Sequence, residues 1–234
     1  MNVLGVALFS IAVLDALLGT RRQARRMAAA AVAAAGCAMA GGLAVGMSWR
    51  ATSVLVASVV VEALLWIAAR NAVGRRAAYV LAGLLAALAL RMATSAVWVT
   101  TGESAFDRWA ASLPGTLGAD AERVAFVGGA VAFLLTAANT LVRLLLAAAP
   151  SSEQPRNPPG GGRVIGSLER VLVFGLAVAG EPTAATLVVS AKGVLRFAEV
   201  RAASGDVDQI TEYVLVGSLA SIALALAFVP FAVA

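Results

Sequence analysis

The chain has 234 residues, 61% hydrophobic and 13% charged, against about 45–50% and about 25% in soluble domains, with a mean hydropathy of +0.89. This balance points away from a water-soluble core and toward a bilayer as the apolar phase. The absence of histidine excludes zinc-metalloprotease motifs, imidazole-ligated haem and His-based triads, and a single cysteine, Cys37, excludes an internal disulfide.

A spanning helix needs roughly 20 mostly apolar residues. About eight stretches qualify, near residues 2–19, 27–48, 52–69, 77–99, 123–148, 164–180, 183–200 and 210–232. The expected fold class is therefore all-α, a polytopic membrane helix bundle. The first stretch lacks a basic leader, contains Asp15 and is followed by Arg21, Arg22, Arg25 and Arg26, so it reads as a retained helix rather than a cleaved signal. In the second, "GLAVG" (42–46) is a small-xxx-small pattern suited to close helix packing in lipid, and Cys37 reads as a small apolar packing residue.

The segment "GESAFDRWAASLPG" (102–115) spaces Phe106, Trp109 and Leu113 at i, i+3 and i+7, with Ser104 and Asp107 spaced as a capping box. It predicts a short amphipathic helix in the outer interface with Trp109 as anchor, or a lid over an outer opening. In the fifth span Thr136, Asn139 and Arg143 share a face; interhelical hydrogen bonding and membership of a charged cluster are both open for them. The run "PSSEQPRNPPGGGR" (150–163) reads as a flexible cytoplasmic linker. It is not a phosphate-binding loop, since no Lys-Ser/Thr follows its glycines. It divides a five-helix half, residues 1–149, from a three-helix unit, residues 164–234. Glu181 and Pro182 separate the sixth and seventh spans, Pro being favoured at a first helical position.

Basic residues set the orientation. Arg21 to Arg26, Arg70, Arg75, Arg76, Arg156, Arg163 and Arg201 fall on one side of an eight-span arrangement with both termini outside, and that side is cytoplasmic. The net charge of +5 is explained in this way and not by nucleic acid. The expected location is the inner membrane, and the expected partners are the lipid bilayer, an anionic ligand or lipid, or another membrane protein.

Charged residues inside spans are rare and costly. Here they are Asp15, Glu62, Glu169, Glu199 and Glu212 with Arg91, Arg170, Lys192 and Arg196. Most gather in the cytoplasmic half, Glu62 and Arg91 excepted. Lys192, Arg196 and Glu199 stand at i, i+4 and i+7 on one helix face, and two stacked cations demand acids from other helices or a bound anion. Glu169 and Glu212 are the candidate acids. The plainer readings are that Glu212 complements a helix N-terminus, that Glu169 and Arg170 snorkel, that Glu62 and Arg91 pair across helices, and that Asp15 sits at the interface. Ser218 and Ser221, beside Gly217, read as packing. The low aromatic content argues against a chromophore pocket at Lys192, and no cofactor or metal is expected.

Three motifs in the tail carry a resemblance. They are "IGSLER" (Ile165, Gly166, Leu168, Glu169, Arg170), "AKGVLRFAE" (Ala191, Lys192, Arg196, Phe197, Glu199) and "EYVLVGSLAS" (Glu212, Tyr213, Gly217, Ser218, Leu219, Ser221). Together they resemble the C-terminal part of an uncharacterised bacterial multi-pass membrane family, a domain of unknown function. The resemblance covers roughly residues 163–225, about a quarter of the chain by element lengths. The family's N-terminal part is associated with His and Asp residues, and this chain departs from it there by having no histidine. The resemblance implies membership and a site at Glu169, Arg170, Lys192, Arg196, Glu199, Glu212 and Tyr213, and no reaction.

Three functions are consistent with the sequence. A cytoplasm-facing cavity lined by Lys192, Arg196 and Arg170 suits transport or translocation of a small anionic solute or lipid head group, with Glu169, Glu199 and Glu212 exchanging partners or protons. An accessory or scaffold subunit would use the same charges as structural salt bridges. A membrane enzyme acting on a lipid phosphate would use Glu169 or Glu212 as base with Tyr213 assisting, but no nucleophile or metal motif accompanies them and no catalytic residue is assigned.

Overall fold

A computed structural model describes residues 2–18, 24–70, 72–94, 104–112, 121–148, 162–202 and 207–233. Among them every regular element is a helix, and no strand occurs. The helices are α1 (Asn2–Leu18), α2 (Ala24–Ala44), α3 (Trp49–Ala69), α4 (Arg75–Thr94), α5 (Ala105–Ala111), α6 (Ala121–Leu135), α7 (Ala138–Ala148), α8 (Gly162–Val178), α9 (Pro182–Ala202), α10 (Val207–Ala227) and α11 (Val229–Val233). They form two compact units, Met1–Asn71 with Ala82–Ala137, and Ala72–Leu81 with Ala138–Ala234.

Three described stretches are long and apolar enough to cross a membrane: Met27–Ala44, Trp49–Ala69 and Leu215–Val233. A fourth qualifies if α6 and α7 are joined across their break. Only 22% of the first window and 33% of the second is buried within the protein. The rest presents residues such as Val32, Val54, Val61 and Leu64 outward, while Glu62 and Arg170 are turned inward. Apolar outside and polar inside is the arrangement a lipid solvent selects, and it suggests membrane association.

The fifth expected span, 123–148, is not one helix. It breaks at Thr136–Ala137, where the Thr136 hydroxyl donates to the Ala132 carbonyl at 2.9 Å, a back-bond of the kind that perturbs helices. One of the three points at which the chain passes between the two units falls at this break. The linker expected at 150–163 lies outside the described residues except for Gly162 and Arg163, which begin α8.

In the first unit α1 packs on α2, α3 and α6, α2 packs on α3, and α5 packs on α6. The α1–α6 contact is backbone on backbone. A Cβ on Gly129 would lie 2.1 Å from the Gly5 carbonyl oxygen, and one on Gly5 would lie 2.2 Å from that of Ala125. Ala125 and Gly129 thus form the small-xxx-small step that admits α1, as lipid-embedded packing requires. "GLAVG" divides its work differently from expectation. Gly42 packs against Thr52 and Leu55 of α3, whereas Gly46 has φ of 76° and closes α2. The Gly46 N–H donates to the Leu43 carbonyl and that of Met47 to Gly42, the paired bonds of a Schellman cap.

α5 has the expected cap. The Asp107 N–H donates to Ser104 Oγ at 3.0 Å, and Asp107 Oδ2 accepts from the Ser104 N–H at 2.8 Å. Trp109 is half exposed and rests against Phe106 at 5.3 Å between ring centroids.

In the second unit α8 packs on α7, α9, α10 and α11, and α10 packs on α7, α9 and α11. α8 ends in a second Schellman cap: Gly180 has φ of 82°, its N–H donates to Ala177, and that of Glu181 donates to Leu176. Pro182 then opens α9 at the position where its missing N–H costs nothing. The expected sixth and seventh stretches are thus two separate helices, α8 and α9, packed in a hairpin.

Candidate functional site

The second unit collects the polar side chains that carry chemistry. Ser167, Arg170, Val173 and Phe174 form the buried face of α8, recurring at the i, i+3, i+6, i+7 spacing of one helix side. Ser221 and Ala225 do the same along α10, with buried Phe228 just past its end, while half-buried Gly217 lets Leu146 of α7 approach. Arg170 is 4% exposed and reaches three helices. Its Nη1 donates to Ser221 Oγ on α10 at 2.8 Å. Its Nη2 donates to Asn139 Oδ1 on α7 at 2.6 Å and to Ser167 Oγ at 3.2 Å. Asn139 is itself fixed, because its Nδ2 donates to Ser167 Oγ at 2.9 Å. A planar guanidinium offers five donors in a rigid fork, and this cradle uses both terminal nitrogens.

Beside the cradle, Lys192 Nζ on α9 forms an ion pair and hydrogen bond with Glu169 Oε2 on α8. The pair is more open than Arg170, the two side chains being 14% and 23% exposed. Glu169, Arg170, Lys192 and Ser221 line one cleft, walled by Val173, Val188, Val189 and Ile222. Its interior has room for about one water molecule. The lining thus brings two cations, one carboxylate and a hydroxyl together against aliphatic walls, an environment in which charges interact strongly because little water screens them.

Of the residues expected at the site, the structure brings Glu169, Arg170 and Lys192 together. Arg196 and Glu199 are carried by α9, and Glu212 and Tyr213 by α10, but their side chains lie outside the described residues. Asn139, left open by the sequence, joins the cluster. Thr136 does not, since it bonds within the first unit to the Ala132 carbonyl and, at 3.4 Å, to that of Ala12. Ser221, read as packing, is a ligand of Arg170. Ser167 has no counterpart among the expected residues; its spacing of three from Arg170 on α8 is the one sequence signal for it.

Of the charged residues expected inside spans, Asp15, Glu62 and Arg91 belong to the first unit. Arg91 Nε donates to Glu62 Oε1 at 2.6 Å, the cross-helix pairing anticipated for them, and Arg91 Nη2 donates to Ser58 Oγ at 2.8 Å. Asp15, expected at the interface, pairs with a residue of α3: its Oδ1 accepts from Trp66 Nε1 at 2.7 Å. Among the described residues no three His, Cys, Asp or Glu side chains group closely enough to hold a metal. Comparison with protein families, curated proteins and solved structures found no match.

Proposed function

We propose that the protein is a multi-pass bacterial inner-membrane protein of about eight spans, with both termini outside, that transports or translocates a small anionic solute or lipid head group. This reading takes the tail motifs as marks of the membrane family they resemble. One observation supports it above the others: the Glu169–Arg170–Lys192 cleft gathers two cations and one carboxylate in a low-dielectric setting. Lys192 exchanges Glu169 for the anion, while Arg170 stays in its cradle and sets the local potential. Uptake of radiolabelled inorganic phosphate and of succinate, and leaflet exchange of fluorescent phosphatidylglycerol, test this in vesicles of phosphatidylethanolamine and phosphatidylglycerol. One of these fluxes is expected to depend on the protein and to fall by about tenfold or more in Lys192→Gln, a loss of about 1.4 kcal/mol. Folded protein that supports none of them overturns the reading.

A second reading, an accessory or scaffold subunit, is favoured by the closed state of the same pair. Lys192 already bonds Glu169, and the cleft holds about one water. Under that reading Lys192→Gln leaves every flux unchanged and releases a membrane partner from the purified complex.

A further inference from the structure

Glu62 belongs to the first unit, whereas the cleft belongs to the second. It is 5% exposed on the buried face of α3, in line with Leu55, Val59 and Trp66. One carboxylate oxygen, Oε1, receives Arg91 Nε. The other, Oε2, is buried and has no hydrogen-bond partner among the described residues. An ionised carboxylate offers about four lone-pair sites, and a buried oxygen left without a donor carries its full desolvation cost. A carboxylate so placed gains by accepting something on Oε2, and a proton needs only that single oxygen.

The two partners do not depend on each other equally. Arg91 also donates to Ser58, and it lies in the last turn of α4, where the helix dipole favours a cation. Arg91 therefore keeps favourable surroundings when Glu62 is neutral. Among the described residues the ionised Glu62 has no second cation in a salt bridge with it. From α1 the nearest titratable group is Asp15, engaged one turn away with Trp66. From Met27 onward α2 offers only Cys37, α4 from Ala82 onward offers only Arg91, and in α6 Glu122 and Arg123 stand in the first turn.

We propose that Glu62 is a proton-binding site of the first unit. Its Oε2 takes a proton from the aqueous phase, the carboxylate becomes a neutral acid, and Arg91, keeping its own proton, shifts from Glu62 toward Ser58 and the end of α4. The proposal holds whether or not the cleft of the second unit carries an anion.

Infrared difference spectroscopy of the full chain in lipid nanodiscs, between about pH 8 and about pH 5, reads the protonation directly, since an ordinary exposed Glu titrates near 4.3, below this window. A protonated-carboxyl band is expected to appear on acidification in the wild type and to be absent from Glu62→Gln. It should appear at a different pH in Arg91→Gln and reappear at a shifted frequency in Glu62→Asp. Circular dichroism of each variant establishes folding before the spectra are compared. A band that survives unchanged in folded Glu62→Gln, or no band in the wild type anywhere in the window, overturns the proposal. So does a band that responds to replacing potassium by sodium at fixed pH, because the site would then be a cation site.

Discussion

Glu169 and Lys192 meet across the α8–α9 hairpin at nearly equal chain distances from Gly180, whose φ of 82° makes the turn. The turn thus sets which acid meets which cation, and the pair in return holds the hairpin closed. The contact is partly open, so its worth lies between the limits for exposed and buried pairs. Lys192→Glu is expected to cost about 1–3 kcal/mol. The reversed double variant, Lys192→Glu with Glu169→Lys, should recover at least half of that, in a double-mutant cycle followed by chemical unfolding in detergent. Strict additivity would show that the two side chains do not pair.

Arg170 behaves differently because the hydroxyl and amide oxygens that accept from it are neutral groups spread over three helices. Asn139→Ala removes one acceptor from Nη2 and leaves Ser167 without its amide donor. Hydrogen bonds to a charged group are worth about 1.5–3 kcal/mol, and a loss of that size is expected. Arg170→Lys should cost as much or more, since an ammonium on a single stem cannot span Ser221 and Asn139 together. Thermal unfolding of both variants beside Ser221→Ala measures this. An Arg170→Lys variant as stable as the wild type would mean that the cradle does not hold the helices together.

The difference between these two clusters also explains what the sequence reveals. A lysine and a glutamate inside apolar stretches advertise themselves by their cost, and hairpin register then pairs them. Small polar residues carry no such signal. Ser10, Thr186 and Ser190 donate to carbonyls four residues back on their own helices, whereas across helices Ser221 accepts from Arg170 and Ser167 accepts from Asn139. Only the rotation of each helix against its neighbours distinguishes the two uses. Glycines pose the same difficulty: Gly42 and Gly46 share one motif, yet one packs and the other turns. The helices themselves were legible from apolar run length, but the break at Thr136 was not, because a threonine inside an apolar run usually passes without effect.

The α1–α6 contact yields a comparison with a built-in control. A methyl on Gly129 would overlap the Gly5 carbonyl, whereas a methyl on Gly128, its neighbour in sequence, would meet nothing within 4 Å. Gly129→Ala is expected to destabilise by about 1–3 kcal/mol, the usual cost of overpacking. Gly128→Ala should be neutral or stabilising by up to about 1 kcal/mol, through helix propensity. Equal effects on the unfolding midpoint would contradict the close approach of the two backbones.

The α5 cap gives a pH dependence of known sign. Hydrogen bonds from the Ser104 hydroxyl and backbone N–H hold the Asp107 carboxyl below its usual range. A depressed folded value means that the cap contributes stability above the unfolded pKa, about 3.9, and loses it as pH falls through the lower folded value. α5 should therefore keep its structure down to about pH 4 and loosen below it. In a variant retaining Trp109 as its sole tryptophan, emission should change only in that acid range. Ser104→Ala removes the hydroxyl while leaving the carboxylate, so its transition should move toward the ordinary Asp value and its emission at neutral pH should already resemble a loosened helix. If Trp109 emission in Ser104→Ala follows the wild type at every pH, the capping box does not order α5, and the contact of α5 with α6 is what holds it.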